Sequence, residues 1–129
     1  MFIVIAAVLA ALVHVYIFVI ESLRFVTPST MKAFGVRSAE EAQIMKPWAF
    51  NQGFYNLFLA IIAAVGAVVF AAAVDGSAEE AVGRTLIWAA VAAMLGAAVV
   101  LVGSDRSKGR GAAVQGLFPL LTIIALLVR

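Results

Sequence analysis

Four stretches of this chain are mostly apolar: 2–20, 53–74, 85–103 and 112–128. Each approaches the ~20 residues that a helix needs to cross a hydrocarbon core about 30 Å thick. Residues 57–74, LFLAIIAAVGAVVFAAAV, hold no polar side chain, which excludes the alternating strands of a membrane barrel. The pattern predicts an all-α membrane protein. Four transmembrane helices form a bundle in one domain, 1–129, with both termini on the same side, the outer one.

The polar stretches punctuate those helices. The first helix is expected over about 2–24. In the connection 25–37, Pro28 stops it. Ser29 or Thr30 is placed to cap a short surface helix, and Gly35 to end that helix. Met31, Phe34 and Val36 are expected on the membrane surface, with Lys32 and Arg37 toward headgroups. Ser38-Ala-Glu-Glu41 is a capping-box pattern. It starts a second helix over about 39–74, longer than a span and therefore extended into the cytoplasm, with Pro47 at a kink and Trp48 as an interface anchor. Residues 75–83 read as a short acidic loop, and the third helix as about 80–103. Its Ala89, Ala93 and Ala97, and its Ala92 with Gly96, offer small-x-x-x-small faces for close helix approach. Residues 103–111, GSDRSKGRG, form a polar turn before a fourth helix over about 112–128. No internal repeat is visible as shared motifs.

Composition supports the membrane reading. Hydrophobic residues make up 65% and charged residues 12%, against about 45–50% and about 25% in soluble domains. With 0 Cys, disulfide scaffolds and thiol chemistry are excluded. The net charge of +2 matters less than its placement. Arg24, Lys32, Arg37, Lys46, Arg106, Lys108 and Arg110 fall on one face, and only Arg84 and Arg129 on the other. The positive-inside rule makes the first face cytoplasmic, so the cations need no nucleic-acid partner. No Lys or Arg precedes Arg24, and the first apolar run is long, so it reads as a retained helix rather than a signal peptide.

A charge at the bilayer centre costs about 2.5–3.5 kcal/mol on insertion scales, so the polar exceptions are informative. The first helix carries His14, Tyr16 and Glu21, the second Asn51, Gln52, Tyr55 and Asn56, and the fourth Gln115. At ~1.5 Å per residue, Glu21 lies about 3 Å deep, Asn51, Gln52 and Gln115 about 5 Å, Tyr55 and Asn56 about 11 Å, and His14 about 13 Å. All fall in the cytoplasmic half. His14, Phe18 and Glu21 share one helix face, as do Gln52, Tyr55 and Asn56. Antiparallel pairing sets His14 level with Asn56 or Tyr55, and Glu21 level with Asn51 or Gln52, with Gln115 closing the cluster. The expectation is a polar pocket that binds a ligand or exchanges protons. The competing reading is interhelical glue, worth about 0.6 kcal/mol per hydrogen bond, with Glu21 paired to Arg24 or Lys46.

Catalytic signatures are sparse. One His without Cys excludes a Cys/His pair and most zinc sites, and no metal or cofactor is expected. The 103–111 turn lacks the P-loop spacing and suits contact with anionic headgroups. His14 and Glu21 together offer an acid and a base.

The runs His14-x-Tyr16-Ile-Phe-x-x-Glu21, TPSTMKAFGV, Asn51-Gln-Gly-x-Tyr-Asn56-x-Phe-Leu-Ala60 and Gln115-Gly-x-x-Pro119 resemble the bacterial domain of unknown function 1304 family. The resemblance spans nearly the whole chain. It implies four membrane helices and a place in the bacterial inner (plasma) membrane, and it implies no activity. One departure is Glu21-Ser-Leu-Arg24, where the family would have Met after the glutamate and a bulky apolar residue in place of Arg24.

Three functions fit. The first is a small binding or transport protein for an amphipathic molecule or lipid headgroup, proton-linked through Glu21 and His14; transport through so few helices implies a homodimer. The second is an enzyme acting on a lipid or isoprenoid. The third is a structural accessory protein. Membrane lipids are partners in all three.

Overall fold

The computed structural model describes residues 1–128; Arg129, assigned above to the outer face, lies outside the described residues. Among these residues there are helices and no strands. They are α1 (Phe2–Phe18) continued by a π-helical turn (Val19–Leu23), α2 (Pro28–Phe34), α3 (Ala39–Ala72), α4 (Ala78–Ser104), and α5 (Gly109–Leu127) behind a 3₁₀ turn (Arg106–Lys108). Four of them are long and apolar enough to cross a membrane: α1 with its π turn, α3, α4, and α5 with its 3₁₀ turn. The protein is an all-α, multi-pass membrane protein.

The helix ends follow local chemistry. The Glu41 N–H donates to Ser38 Oγ at 3.1 Å, while the Glu41 carboxylate accepts from the Arg37 N–H at 2.7 Å. This is a capping box whose return bond reaches one residue further back than usual. The same four residues, Ser-Ala-Glu-Glu, recur at 77–80 and do the same work. Glu80 N–H donates to Ser77 Oγ at 3.1 Å, and Gly76 N–H donates to the Glu80 carboxylate at 2.5 Å. That second box starts α4 at Ala78 and shortens the loop expected over 75–83. Gly76, at φ +79°, makes the turn before it.

The short helix α2 also departs from expectation. Neither Ser29 nor Thr30 caps it; Thr27 stands at its cap in extended conformation and Pro28 takes the first turn. Gly35 closes it at φ +73°. At the other polar turn, Asp105 accepts from the Ser107 N–H at 2.9 Å and launches the 3₁₀ turn straight into α5, which begins before residue 112. Hydrogen bonds from Ser107 hold the Asp105 carboxyl below its ordinary value.

Contacts divide the chain into two compact units. One comprises Met1–Val13 with Leu59 onward. Its core takes Ile3, Ala7, Ala10 and Ala11 from α1, Ala60, Ala63, Ala67 and Phe70 from α3, Ile87, Ala90, Val91 and Met94 from α4, and Ala125 and Leu126 from α5. Eight of these fourteen are alanine, so the helices meet nearly backbone to backbone. A β-carbon on Gly83 would fall 2.5 Å from the Phe70 nitrogen, and one on Gly66 would fall 2.8 Å from the Ile87 nitrogen. Arg84 donates to the Leu126 carbonyl at 2.6 Å, satisfying an acceptor at the end of α5.

The close-packed face of α4 is Gly83, Ile87, Ala90, Val91, Met94 and Ala98. It is not the one expected: Ala89, Ala92, Ala93, Gly96 and Ala97 are all exposed. Nothing lies within 4 Å of a β-carbon built on Gly96. Several alanine registers are available on this helix, and the face that packs is the one that carries the larger Ile87, Val91 and Met94.

The second unit is His14–Phe58. Its apolar centre is small: Phe25, Val36 and Ala42, with Met31, Phe34 and Ala49 against them. Phe25 and Phe34 pack with ring centroids 5.7 Å apart. Met31, Phe34 and Val36, expected on the membrane surface, pack together with Phe25 and with Ala42 and Ala49 of α3.

Candidate functional site: a carboxylate–amide pair on a π turn

The polar residues of interest gather in the unit His14–Phe58. Here α1 changes pitch. The Arg24 N–H donates to the Val19 carbonyl at 3.0 Å, five residues back, and this opens one π turn. Glu21 and Ser22 lie within it, and both side chains engage α3. The Ser22 hydroxyl donates to the Phe50 carbonyl at 2.8 Å. The Asn56 amide Nδ2 donates to the Glu21 carboxylate at 2.8 Å. Its second hydrogen goes to the Gln52 carbonyl at 3.2 Å, so both Nδ2 hydrogens are used and the amide is fixed in orientation.

Gly53 makes this approach possible. A β-carbon there would collide with the Ser22 hydroxyl and come within 3.1 Å of Glu21 Cβ. The Phe18 ring stands edge-on to Phe54, with centroids 5.1 Å apart. Phe54 continues a ladder along α3, 5.0 Å from Phe50 and 6.1 Å from Phe58. Aromatic rings thus flank the level of the carboxylate–amide pair. Glu21 is partly buried, whereas Asn56 is buried. Below the pair, the Thr27 hydroxyl donates to the Arg24 carbonyl at 2.9 Å and lies 3.0 Å from Thr30 Oγ1.

Of the eight residues singled out in the sequence, seven fall in this unit, and Gln115 lies partly buried on α5 in the other. Asn56 bonds to the Glu21 carboxylate and to the Gln52 carbonyl. Glu21 was expected level with Asn51 or Gln52, and its partner sits one turn further along α3. Glu21 lies within the π turn, where the pitch of the helix changes. His14 is fully buried. Tyr16 and Tyr55 are each 59% exposed, and Asn51 and Gln52 are exposed as well. Of the set expected to line one pocket, Glu21 and Asn56 join across two helices, the two tyrosines, Asn51 and Gln52 are exposed, and His14 is buried. Two participants were missed, Ser22 and Gly53. Gly53 carried a readable signal, since an isolated glycine inside a helical pattern points to close backbone approach. Nothing in the sequence announced the π turn.

Among the described residues, no group of three His, Cys, Asp or Glu side chains gathers to hold a metal. A carboxylate held by a fixed amide can accept a hydrogen bond, pair with a cation or take up a proton.

A family model described as "Protein of unknown function (DUF1304)" matches residues 8–127, nearly the whole chain. No curated protein and no solved structure matches. The runs around His14, Glu21, Asn51–Asn56 and Gln115 that suggested this assignment all fall within the matched span, and the chain belongs to the DUF1304 family of unknown function.

Proposed function

We propose that this is a small binding protein of the bacterial inner membrane, and that Glu21 is the group that meets the ligand. The observation that supports this reading is the Asn56–Glu21 bond at 2.8 Å. Asn56 uses a fixed amide to hold one carboxylate oxygen, which orients the group and leaves acceptor capacity on a partly exposed side chain. A carboxylate near the cytoplasmic interface, with Phe18 and Phe54 at its level, suits a small amphipathic cation or the cationic part of a lipid headgroup. Uptake of a proton by the same carboxyl would couple binding to pH and, in a dimer, to transport.

The test is native mass spectrometry of the protein released from its own membranes. Wild type is compared with Glu21→Gln and Asn56→Leu, with helix content measured in parallel. A discrete bound mass in the wild type, lost from Glu21→Gln with helix content unchanged, is the expected result. A bound mass retained in Glu21→Gln, or no bound mass in any sample, would leave the pair as interhelical glue and reject the proposal.

A further inference from the structure

The other unit holds a second feature, unrelated to Glu21. Between α4 and α5 runs an open groove of about 360 Å³ whose walls include Leu95, Ala98, Val102, Ala112, Ala113 and Gly116. No charged side chain lines it. Small residues form its floor. Gly116 lies where a β-carbon would come within 3.0 Å of Ala98 Cβ, so the helices touch there, and the exposed Val99, Ala113, Leu117 and Leu120 stand at the rim. At the end marked by Val102 and Gly109, the groove reaches the turn that carries Arg106, Lys108 and Arg110. Arg106 and Arg110 are exposed. The Asp105 carboxylate, the acidic group of this turn, is engaged by the Ser107 N–H.

An apolar slot in a membrane helix pair, opening onto arginines at the membrane boundary, matches one occupant: a molecule with a long apolar chain and an anionic head. We infer that the α4–α5 groove seats one acyl chain of an anionic phospholipid, whose phosphate is held by Arg106 and Arg110. Arginine suits that role because its planar fork bonds two phosphate oxygens at once. The lipid lies in the leaflet at the cationic end of the helices, and it fills a gap that protein side chains leave open.

The experiment uses the full chain in nanodiscs of phosphatidylcholine with an equal amount of phosphatidylglycerol, followed by native mass spectrometry of the released protein. The wild type is expected to retain one phosphatidylglycerol per chain at least tenfold more often than phosphatidylcholine, less so at high salt. Arg106→Gln with Arg110→Gln should abolish that preference. Ala113→Phe, which fills the groove from an exposed position, should remove the retained lipid of either kind while the arginines stay. Glu21→Gln should change none of this, which separates the outcome from that of the binding site above. Equal retention of the two lipids by wild type would mean ordinary boundary lipid and overturn the inference. So would unchanged retention in Ala113→Phe, or a dimer mass carrying no lipid.

Discussion

The two units of this chain weight close packing and polar contact differently. In the unit of Met1–Val13 and Leu59 onward, contact is made by what is missing: Gly66 and Gly83 lack a β-carbon where neighbouring backbone comes within 3 Å, and alanines fill most of the core. In the unit His14–Phe58, Gly53 allows a similar approach, and polar groups add bonds across it: Ser22 to Phe50, and Asn56 to Glu21. Lipid tails are as apolar as leucine, so burying apolar side chains in a membrane brings little gain. What remains is close packing, which needs small residues, or hydrogen bonds, which need costly polar ones. Close packing is insensitive to pH and chemistry and suits a scaffold. Polar contact leaves reactive groups near a surface, and the candidate site is found there.

Breaking the scaffold should have the largest effect. Gly83→Leu forces a side chain into the Phe70 backbone. Overpacking usually costs about 1–3 kcal/mol and sometimes more; with backbone as the obstacle we expect about 3 kcal/mol or greater, read as loss of the folded fraction in denaturant-titrated micelles. Gly53→Ala makes the same insult in the polar unit, at about 2 kcal/mol. Its nearest obstacle is the Ser22 hydroxyl, so adding Ser22→Ala should restore part of the stability. No restoration in the double variant would show that the backbone, and not the hydroxyl, sets the spacing.

The polar bond itself should be weaker. Membrane hydrogen bonds average about 0.6 kcal/mol and reach about 1.7, so a double-mutant cycle of Glu21→Gln and Asn56→Leu should give a coupling of about 1 kcal/mol. A coupling near zero would mean that Asn56 does not hold the carboxylate in the membrane. The two capping boxes offer an internal control. Ser38→Ala in one unit and Ser77→Ala in the helix of the other should each cost about 1 kcal/mol, because the bonds at 3.1 Å are the same. Gly96→Leu should be the smallest, within about 0.5 kcal/mol of wild type, since it meets only open space. A large loss at Gly96, measured with detergent concentration varied, would reveal that this exposed stripe is covered by another chain.

These expectations also trace how much was legible in advance. The four spans were plain, because about 20 apolar residues in a row admit few structures. The start of α3 was plain too, because Ser38 and Glu41 act on backbone within one turn. Ser77 and Glu80 carry an equal signal, on the edge of the acidic loop. The face of α4 was a choice among alanine registers that a helix rich in alanine cannot announce.

Local rules, then, decided the class, the spans, the caps and the short list of polar residues within them. Each of these depends on neighbours a few positions away, and a sequence displays such neighbours directly. The tertiary structure alone decided that Glu21 meets Asn56, that Ser22 takes the Phe50 carbonyl, and that Tyr16, Tyr55, Asn51 and Gln52 turn outward. Those outcomes hang on the register between two helices. The contact lies at the π turn of Val19–Leu23 and at Gly53, whose missing β-carbon lets the helices touch there.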